Sequence, residues 1–171
     1  MTATTETPQA VQTPAAGTAV VVQPTRQLVG GFQPQTAIAI AIDTQYVASV
    51  GSGAITKGIY MFDNRLDNGS KNGGGLELST VCNVGDLIGF EVYPIDQLGS
   101  SGDSVAITGF NVSQGSVFGS QGYPMQQQPN YWIGQAMSQG TQTYQIRVLV
   151  KTGGLRPTSF NIYWDPFITA Q

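Results

Sequence analysis

The chain ends in the stretch TSFNIYWDPFITAQ, residues 158–171, and this stretch indicates the fold class. Phe160, Ile162 and Trp164 alternate with more polar neighbours, which is the period of a β-strand with one buried face. Pro166 cannot donate a backbone hydrogen bond, so it fits a strand edge or a bulge. The stretch therefore predicts closing strands of a sheet rather than a frayed terminus.

Strand signals recur upstream from residue 35. The segment QTYQIRVLV, residues 142–150, alternates in the same way, and the turn TGGLRP joins it to the tail in a predicted hairpin. Other segments rich in β-branched and aromatic residues, with Gly, Asn and Pro turns between them, are 35–44, 57–63, 76–81, 86–95, 103–110 and 131–137.

The first of these segments, QTAIAIAIDT, has apolar residues on both faces. Ile38, Ile40 and Ile42 share one face, and alanines 37, 39 and 41 share the other. We therefore expect this strand to be covered on both sides, with close packing on the alanine side.

No segment shows sustained helical periodicity, and 22 Gly and 9 Pro would interrupt helices often. Frequent short strands predict an all-β domain over residues 35–171. Its predicted architecture is an antiparallel β-sandwich of the jelly-roll or Ig-like kind, with an N-terminal extended arm.

Residues 1–34 form that arm and differ in composition from the rest. They are rich in Thr, Ala, Gln and Pro, with Glu6 and Arg26 as their only charges, which is typical of a disordered leader. The apolar segments TAVVVQ and QLVGGF favour another interpretation, a strand that adds to a sheet edge in the same or a neighbouring molecule. Candidate self-assembly residues are Val20, Val21, Val22, Leu28, Val29 and Phe32.

The chain is unusually poor in charge. Charged residues make up 10% of it, against roughly 25% in a typical globular protein. The seven Lys and Arg are scattered, which argues against nucleic acid as a partner, since binding phosphates needs clustered basic residues. A nearly neutral surface favours association with copies of the same chain.

Compartment signals are few. Cys82 is the single cysteine, so no intramolecular disulfide can form, which fits a reducing compartment. No signal peptide is recognisable, and no run of 18 apolar residues predicts a membrane span. We expect a soluble cytoplasmic protein.

Candidates for chemistry are scarce. The chain has no histidine, which excludes Ser-His-Asp and Cys-His catalysis and His-ligated zinc. Cys82 lies in a strand-like run, typical of a buried thiol, and the scattered carboxylates suggest no glycosidase pair. DNRLDNG, residues 63–69, could ligate calcium but suits turn formation better. No catalytic residue, cofactor or metal site is predicted.

Tyr123, Tyr131 and Trp132 flank a Gln- and Pro-rich loop. Aromatic rings beside amides suit sugar stacking, subunit contact or core packing, and all three interpretations stay open. The first of them makes a glycan a weak candidate partner.

Several motifs occur in the order of one known family. AIDTQYV at 41–47, YMFD at 60–63, NVGDLIGFEV at 83–92, DSVAITGF at 103–110 and YWDPFITA at 163–170 resemble the bacterial inclusion body proteins of the PixA/AidA type. The resemblance covers roughly residues 36–171. It implies a β-sandwich that accumulates in the cytoplasm, in some members as crystalline inclusions, with no established enzyme activity.

Two function classes follow. The first is a non-enzymatic structural or storage protein that forms inclusions or ordered homopolymers, as a filament or crystal, with itself as partner. The alternative is a lectin-like carbohydrate-binding module. A jelly-roll capsid protein is disfavoured because the arm is not basic, and a donor-strand pilin because no export signal is recognisable.

Overall fold

The computed structural model describes residues 33–96 and 102–171. The chain divides into two units, Met1–Phe32 and Gln33–Gln171. The predicted arm, with its six candidate assembly residues, lies outside the described residues apart from 33 and 34, and its role stays a prediction.

The described residues form eleven strands and one α-helix. The strands are β1 (Thr36–Ile42), β2 (Gly53–Ala54), β3 (Ile59–Asp63), β4 (Ser79–Cys82), β5 (Leu87–Pro94), β6 (Ser104–Gln114), β7 (Met125–Gln128), β8 (Tyr131–Gln135), β9 (Gly140–Thr152), β10 (Thr158–Trp164) and β11 (Phe167–Ala170). The helix α1 spans Thr44–Val50, and a 3-10 turn spans Leu66–Asn68.

The first sheet has five strands within the described residues, in the order β3-β1-β5-β8-β7. β1 pairs antiparallel with β3 and parallel with β5. β8 then pairs antiparallel with both β5 and β7.

The second sheet is arranged around β9, its longest strand. β6 pairs with β9 along one side, while β10 and then β11 pair with β9 along the other. β2 joins β10 and β4 joins β11, both in parallel. The chain passes from β10 to β11 through Pro166, whose carbonyl accepts a hydrogen bond from the Tyr144 amide at 3.1 Å.

The all-β prediction is confirmed, and so is the closing hairpin of the tail with residues 142–150. The antiparallel arrangement is correct for most strand pairs but not for the sheets as wholes. Three pairs are parallel, and each joins strands far apart in sequence, because parallel neighbours cannot be joined by a tight hairpin.

One core cluster takes side chains from both sheets, among them Ile40, Val92, Ile146, Val150 and Trp164. Phe90 of the first sheet packs against Phe110 and Tyr144 of the second, with ring centroids 4.8 and 5.6 Å away. The Trp164 indole also donates a hydrogen bond to the Met61 sulfur at 3.1 Å. The two sheets therefore pack face to face.

The helix α1 was not predicted. Its seven residues are too few to show a helical period, but Asp43 caps it, since its carboxylate accepts a hydrogen bond from the Tyr46 amide at 2.9 Å. Val47 anchors the helix in the core. Within residues 33–96 and 102–171, no helix has both the length and the apolar character needed to cross a membrane.

Candidate functional site

The side of the five-stranded sheet that points away from the core is nearly free of charge. We call this surface the outer face. Strand register places fourteen residues on it: Ala37, Ala39, Ala41, Tyr60, Phe62, Leu87, Gly89, Glu91, Tyr93, Met125, Gln128, Tyr131, Ile133 and Gln135. Glu91 is its single acidic residue, and it holds no basic residue. Burial, reinforced by Glu91, raises the pKa of Tyr93, so this phenol stays neutral.

The alanine side of β1 belongs to this outer face, and here the expectation of coverage on both sides is wrong. Ala37 is exposed and Ala39 is only half-buried. Neighbouring large side chains are open as well, with Phe62 49% and Met125 68% exposed. The small alanine side chains therefore form a shallow depression between exposed apolar side chains.

The outer face is comparable in size to the largest apolar patch of a typical monomeric protein. Five strands spaced about 4.8 Å apart and averaging about 20 Å in length give a footprint of about 500 Å². The largest apolar patch on a monomeric protein is itself roughly 300–600 Å² and is often functional. The outer face is therefore a candidate interaction surface.

Pro34 and Gln35 contact residues of this face and belong to the unit Gln33–Gln171, which we call the body. A side chain at Gly89 would have its Cβ 2.8 Å from the Pro34 ring and 2.9 Å from the Tyr131 hydroxyl. The Gln35 side chain accepts a hydrogen bond from the Leu87 amide at 2.7 Å. Both residues therefore belong to the body, and the division of the chain after residue 34 stays a prediction.

One long segment of the sequence lacks charge altogether. No Asp, Glu, Lys or Arg occurs between Asp103 and Arg147. We call residues 104–146 the uncharged segment. It contains β6, β7 and β8, and all four residues of β7 are exposed. β7 was not predicted from the sequence, because MQQQ has no β-branched residue and no apolar alternation.

The three aromatic residues predicted as a platform do not share one surface. Tyr131 lies on the outer face, whereas Trp132, the next residue, points inward and packs on Phe110 with ring centroids 5.5 Å apart. The Tyr123 hydroxyl accepts a hydrogen bond from the Val112 amide at 2.8 Å. The contacts of Trp132 and Tyr123 favour a packing role over a sugar-stacking one.

The Val-Gly-Asp turn contains a buried carboxylate. One oxygen of Asp86 accepts hydrogen bonds from the Thr36 hydroxyl at 3.1 Å and the Asn83 amide at 3.0 Å, and it contacts the Arg65 guanidinium at 2.5 Å. This carboxylate ties the start of β1, the loop after β3 and the turn before β5 together. The motif NVGDLIGFEV contains this turn, but nothing in the sequence signals Arg65 as its partner, because the two lie far apart along the chain.

The remaining polar candidates are engaged in local structure. Burial raises the pKa of the Cys82 thiol to about 11, which disfavours the nucleophilic thiolate. In the DNRLDNG loop, Asp63 accepts from the Arg65 amide at 2.9 Å and Asn64 from the Ala37 amide at 2.9 Å. The described part of the chain holds no cluster of three or more acidic, Cys or His residues suited to a metal ion.

A shallow groove lies on the six-stranded sheet, lined by Thr108, Arg147, Asn161, Ile162 and Tyr163. Tyr163 is partly exposed, and the Arg147 guanidinium makes a 3.4 Å hydrogen bond to Gln145. The groove presents one aromatic ring, one amide and one cation.

The structure is therefore a two-layer all-β protein, with two mixed sheets that face each other and one open outer face. Among solved structures, the chain is similar to the inclusion body protein PixA from Burkholderia cenocepacia J2315, with a TM-score of 0.64 and 21% identity. The match covers 80% of this chain and 94% of that chain. It confirms, at the level of the fold, the resemblance drawn from the sequence motifs.

Residues 34–156 match a family model described as a domain of unknown function, DUF8788. The chain belongs to this family. No curated protein matches it significantly.

Proposed function

We propose that this chain is a non-enzymatic structural protein that associates with copies of itself and accumulates as ordered cytoplasmic inclusions. The observation that carries the proposal is the outer face, an apolar sheet surface with a single acidic residue. The similarity of fold to an inclusion body protein supports it.

The outer face has the size that self-association needs. Two such faces stacked on each other would remove about 1,000 Å² from water, using about 500 Å² per copy. Specific interfaces begin at about that total area. The same face on both copies gives a contact with twofold symmetry.

The low charge of the surface supports the same conclusion. With 10% charged residues and a net charge of −3, little repulsion separates copies of the chain. Stacking also leaves few ionic groups to desolvate, because Glu91 is the one carboxylate on the outer face.

Sedimentation velocity over a range of concentrations tests the proposal. Wild-type protein should show dimers and larger species that increase with concentration, whereas Phe62→Lys should shift it towards monomer by placing an ammonium group in the contact. Leu155→Lys is the matched control, because Leu155 is 104% exposed in the loop between β9 and β10. A wild-type protein that stays monomeric at high concentration overturns the proposal.

We include the N-terminal arm as an aid to assembly, through Val20, Val21, Val22, Leu28, Val29 and Phe32. Removing residues 1–32 keeps Pro34 and Gln35, whose contacts belong to the body. The truncated protein should fold with an unchanged β-type circular dichroism spectrum and scatter less light at equal concentration. Equal scattering would show that the arm has no role in assembly.

Formation of inclusions is tested in the cell. Thin-section electron microscopy should show dense or striated bodies when the wild-type chain is produced, and far fewer with Phe62→Lys. Bodies of amorphous texture in both strains would indicate ordinary aggregation instead.

A second candidate function is carbohydrate binding at the shallow groove of the six-stranded sheet. It is favoured by Tyr163, Asn161 and Arg147, since a ring, an amide and a guanidinium can stack on and hydrogen-bond to a sugar. A glycan array probed with and without calcium tests it. Blank arrays under both conditions would end this candidate.

A further inference from the structure

The strand β7 leaves one edge of the five-stranded sheet open. It pairs with β8 on one side, with a register irregularity at Gln127. Within the described residues, no other strand pairs with β7, and its four side chains are exposed. Such an edge presents backbone N–H and C=O groups in a row and can accept a further strand.

The other sheet edges are covered or very short. The Ile107 amide of β6 donates to the Pro129 carbonyl at 2.8 Å, and the Val112 amide to the Tyr123 hydroxyl at 2.8 Å. At the opposite edge of the first sheet, the Met61 amide donates to the Gly75 carbonyl at 3.2 Å. On the second sheet, the edge strand β4 is partly covered, because Ser79 forms a β-bridge with Lys71. The other edge strand, β2, has only two residues. Among the sheet edges of the described residues, that of β7 is therefore left uncovered over a whole strand.

The edge of β7 also lacks the charged residues that usually prevent edge pairing. Native edges are commonly protected by Lys or other charged side chains. β7 carries Met125 and three glutamines, and it lies inside the uncharged segment, residues 104–146. Pro124 and Pro129 flank the strand and limit any added pairing to about four residues.

We propose that β7 pairs antiparallel with β7 of a second copy, which joins two five-stranded sheets edge to edge. A second copy fits this edge because it brings no charge to an uncharged strand, and glutamines on both strands can hydrogen-bond to each other. The Met125 side chains would extend the apolar outer face across the junction. The inference rests on the proposed function, because the β7 contact extends the assembly that the outer-face contact begins.

Two different twofold contacts on one chain have a geometric consequence. The outer-face contact alone produces a closed dimer, because each copy has one outer face and that face is occupied in the dimer. The β7 contact links each dimer to two others, since both copies in a dimer still have a free edge. The result is an open filament with no fixed number of subunits.

The first test uses Gln126→Lys in the full chain, followed by sedimentation velocity and negative-stain microscopy. Twofold pairing brings the two substituted strands together, so like charges meet across the junction. We expect wild-type filaments and a variant that stops at the dimer. Gln139→Lys is the control, because residue 139 is exposed in the same uncharged segment but outside β7, and this variant should polymerise like the wild type.

The outcomes separate the two proposals. Filaments of Gln126→Lys equal to those of the wild type overturn the edge contact while leaving self-association in place. If the Gln139→Lys control also stops at the dimer, any added charge prevents polymerisation, and this result too overturns the edge contact. A wild-type protein that is monomeric throughout removes the proposed function itself.

A cross-linking experiment identifies the strand that occupies the edge. Gln126→Cys provides one exposed thiol, because the native Cys82 is buried and its thiol has a raised pKa. A short bis-maleimide should give covalent dimers of this variant within filaments, and none with Gln139→Cys. Filaments without cross-linked Gln126→Cys dimers would mean that another segment occupies the edge, which contradicts β7–β7 pairing.

Discussion

Arg65 and Asp86 form an ion pair in the described part of the chain, with Nη2 and Oδ2 2.5 Å apart and side chains 15% and 11% exposed. The pair joins the loop after β3 to the turn before β5. Thr36 completes the junction, since it donates to Asp86 and accepts from the Arg65 Nε at 2.8 Å. One carboxylate therefore links β3 and β5, the two strands that flank β1.

Asp86→Ala should lower the free energy of unfolding by about 3 kcal/mol, because it leaves a mostly buried guanidinium without its partner. Urea denaturation measures this change. Asp165→Ala is the control, since Asp165 is exposed and accepts one hydrogen bond from Gln145. That change should cost less than about 0.5 kcal/mol, and equal losses in the two variants would refute a special role for Asp86.

Gly89→Ala should destabilise the protein by about 1–3 kcal/mol through overpacking. The new methyl group would lie 2.8 Å from the Pro34 ring, which cannot move without shifting the chain entering β1. Gly109→Ala is a matched strand position with no heavy atom within 4 Å of the added carbon. Thermal unfolding should show a clear loss for the first variant alone, and an unchanged midpoint for Gly89→Ala would show that Pro34 does not pack there.

Tyr144→Phe should leave stability unchanged or raise it slightly. The Tyr144 hydroxyl is buried without a hydrogen-bond partner in the described structure, while its ring packs on Phe90 and Phe118. Removing an unsatisfied polar group is close to neutral, because its desolvation cost disappears with it. Tyr144→Leu loses the aromatic contacts and should cost about 1–3 kcal/mol in chemical denaturation. A large loss in the Phe variant would reveal a partner of the hydroxyl, such as an internal water.

Cys82 should make stability fall at alkaline pH. The folded-state pKa of its thiol is raised from 9.0 to about 11, chiefly by burial and then by the Asp86 charge. The folded protein therefore holds this proton more tightly than the unfolded chain, so the stabilisation is complete below pH 9.0 and is lost as the pH rises to about 11. Cys82→Ala should flatten this part of the stability profile, and identical slopes would exclude the thiol as the cause.

Much of the fold follows from local pattern. The alternation of Ile162 and Trp164 with exposed neighbours correctly predicted the strand and its pairing with β9, and the isoleucine face of β1 is buried as expected. These predictions succeed because alternation directly reflects which side of a strand meets the core.

The failures concern features without a local signal. The parallel pairing of β1 with β5 depends on how residues 43–86 cross between them, and alternation is the same for both strand directions. The alanines of β1 do not distinguish a tightly covered face from an open one. The open edge of β7 and the Arg65–Asp86 pair likewise depend on neighbours that only the folded chain brings together.

The central position of β9 has a consequence for synthesis on the ribosome. All strands of the five-stranded sheet have been translated by Gln135, whereas β9 can complete its second edge only after β11, the final strand, has emerged. Until then the inner side of the first sheet, with Ile38 and Phe90, faces a second sheet that lacks β11. The core of a nascent chain is therefore completed only when β11 has emerged, so partly translated chains expose apolar side chains that the finished fold buries.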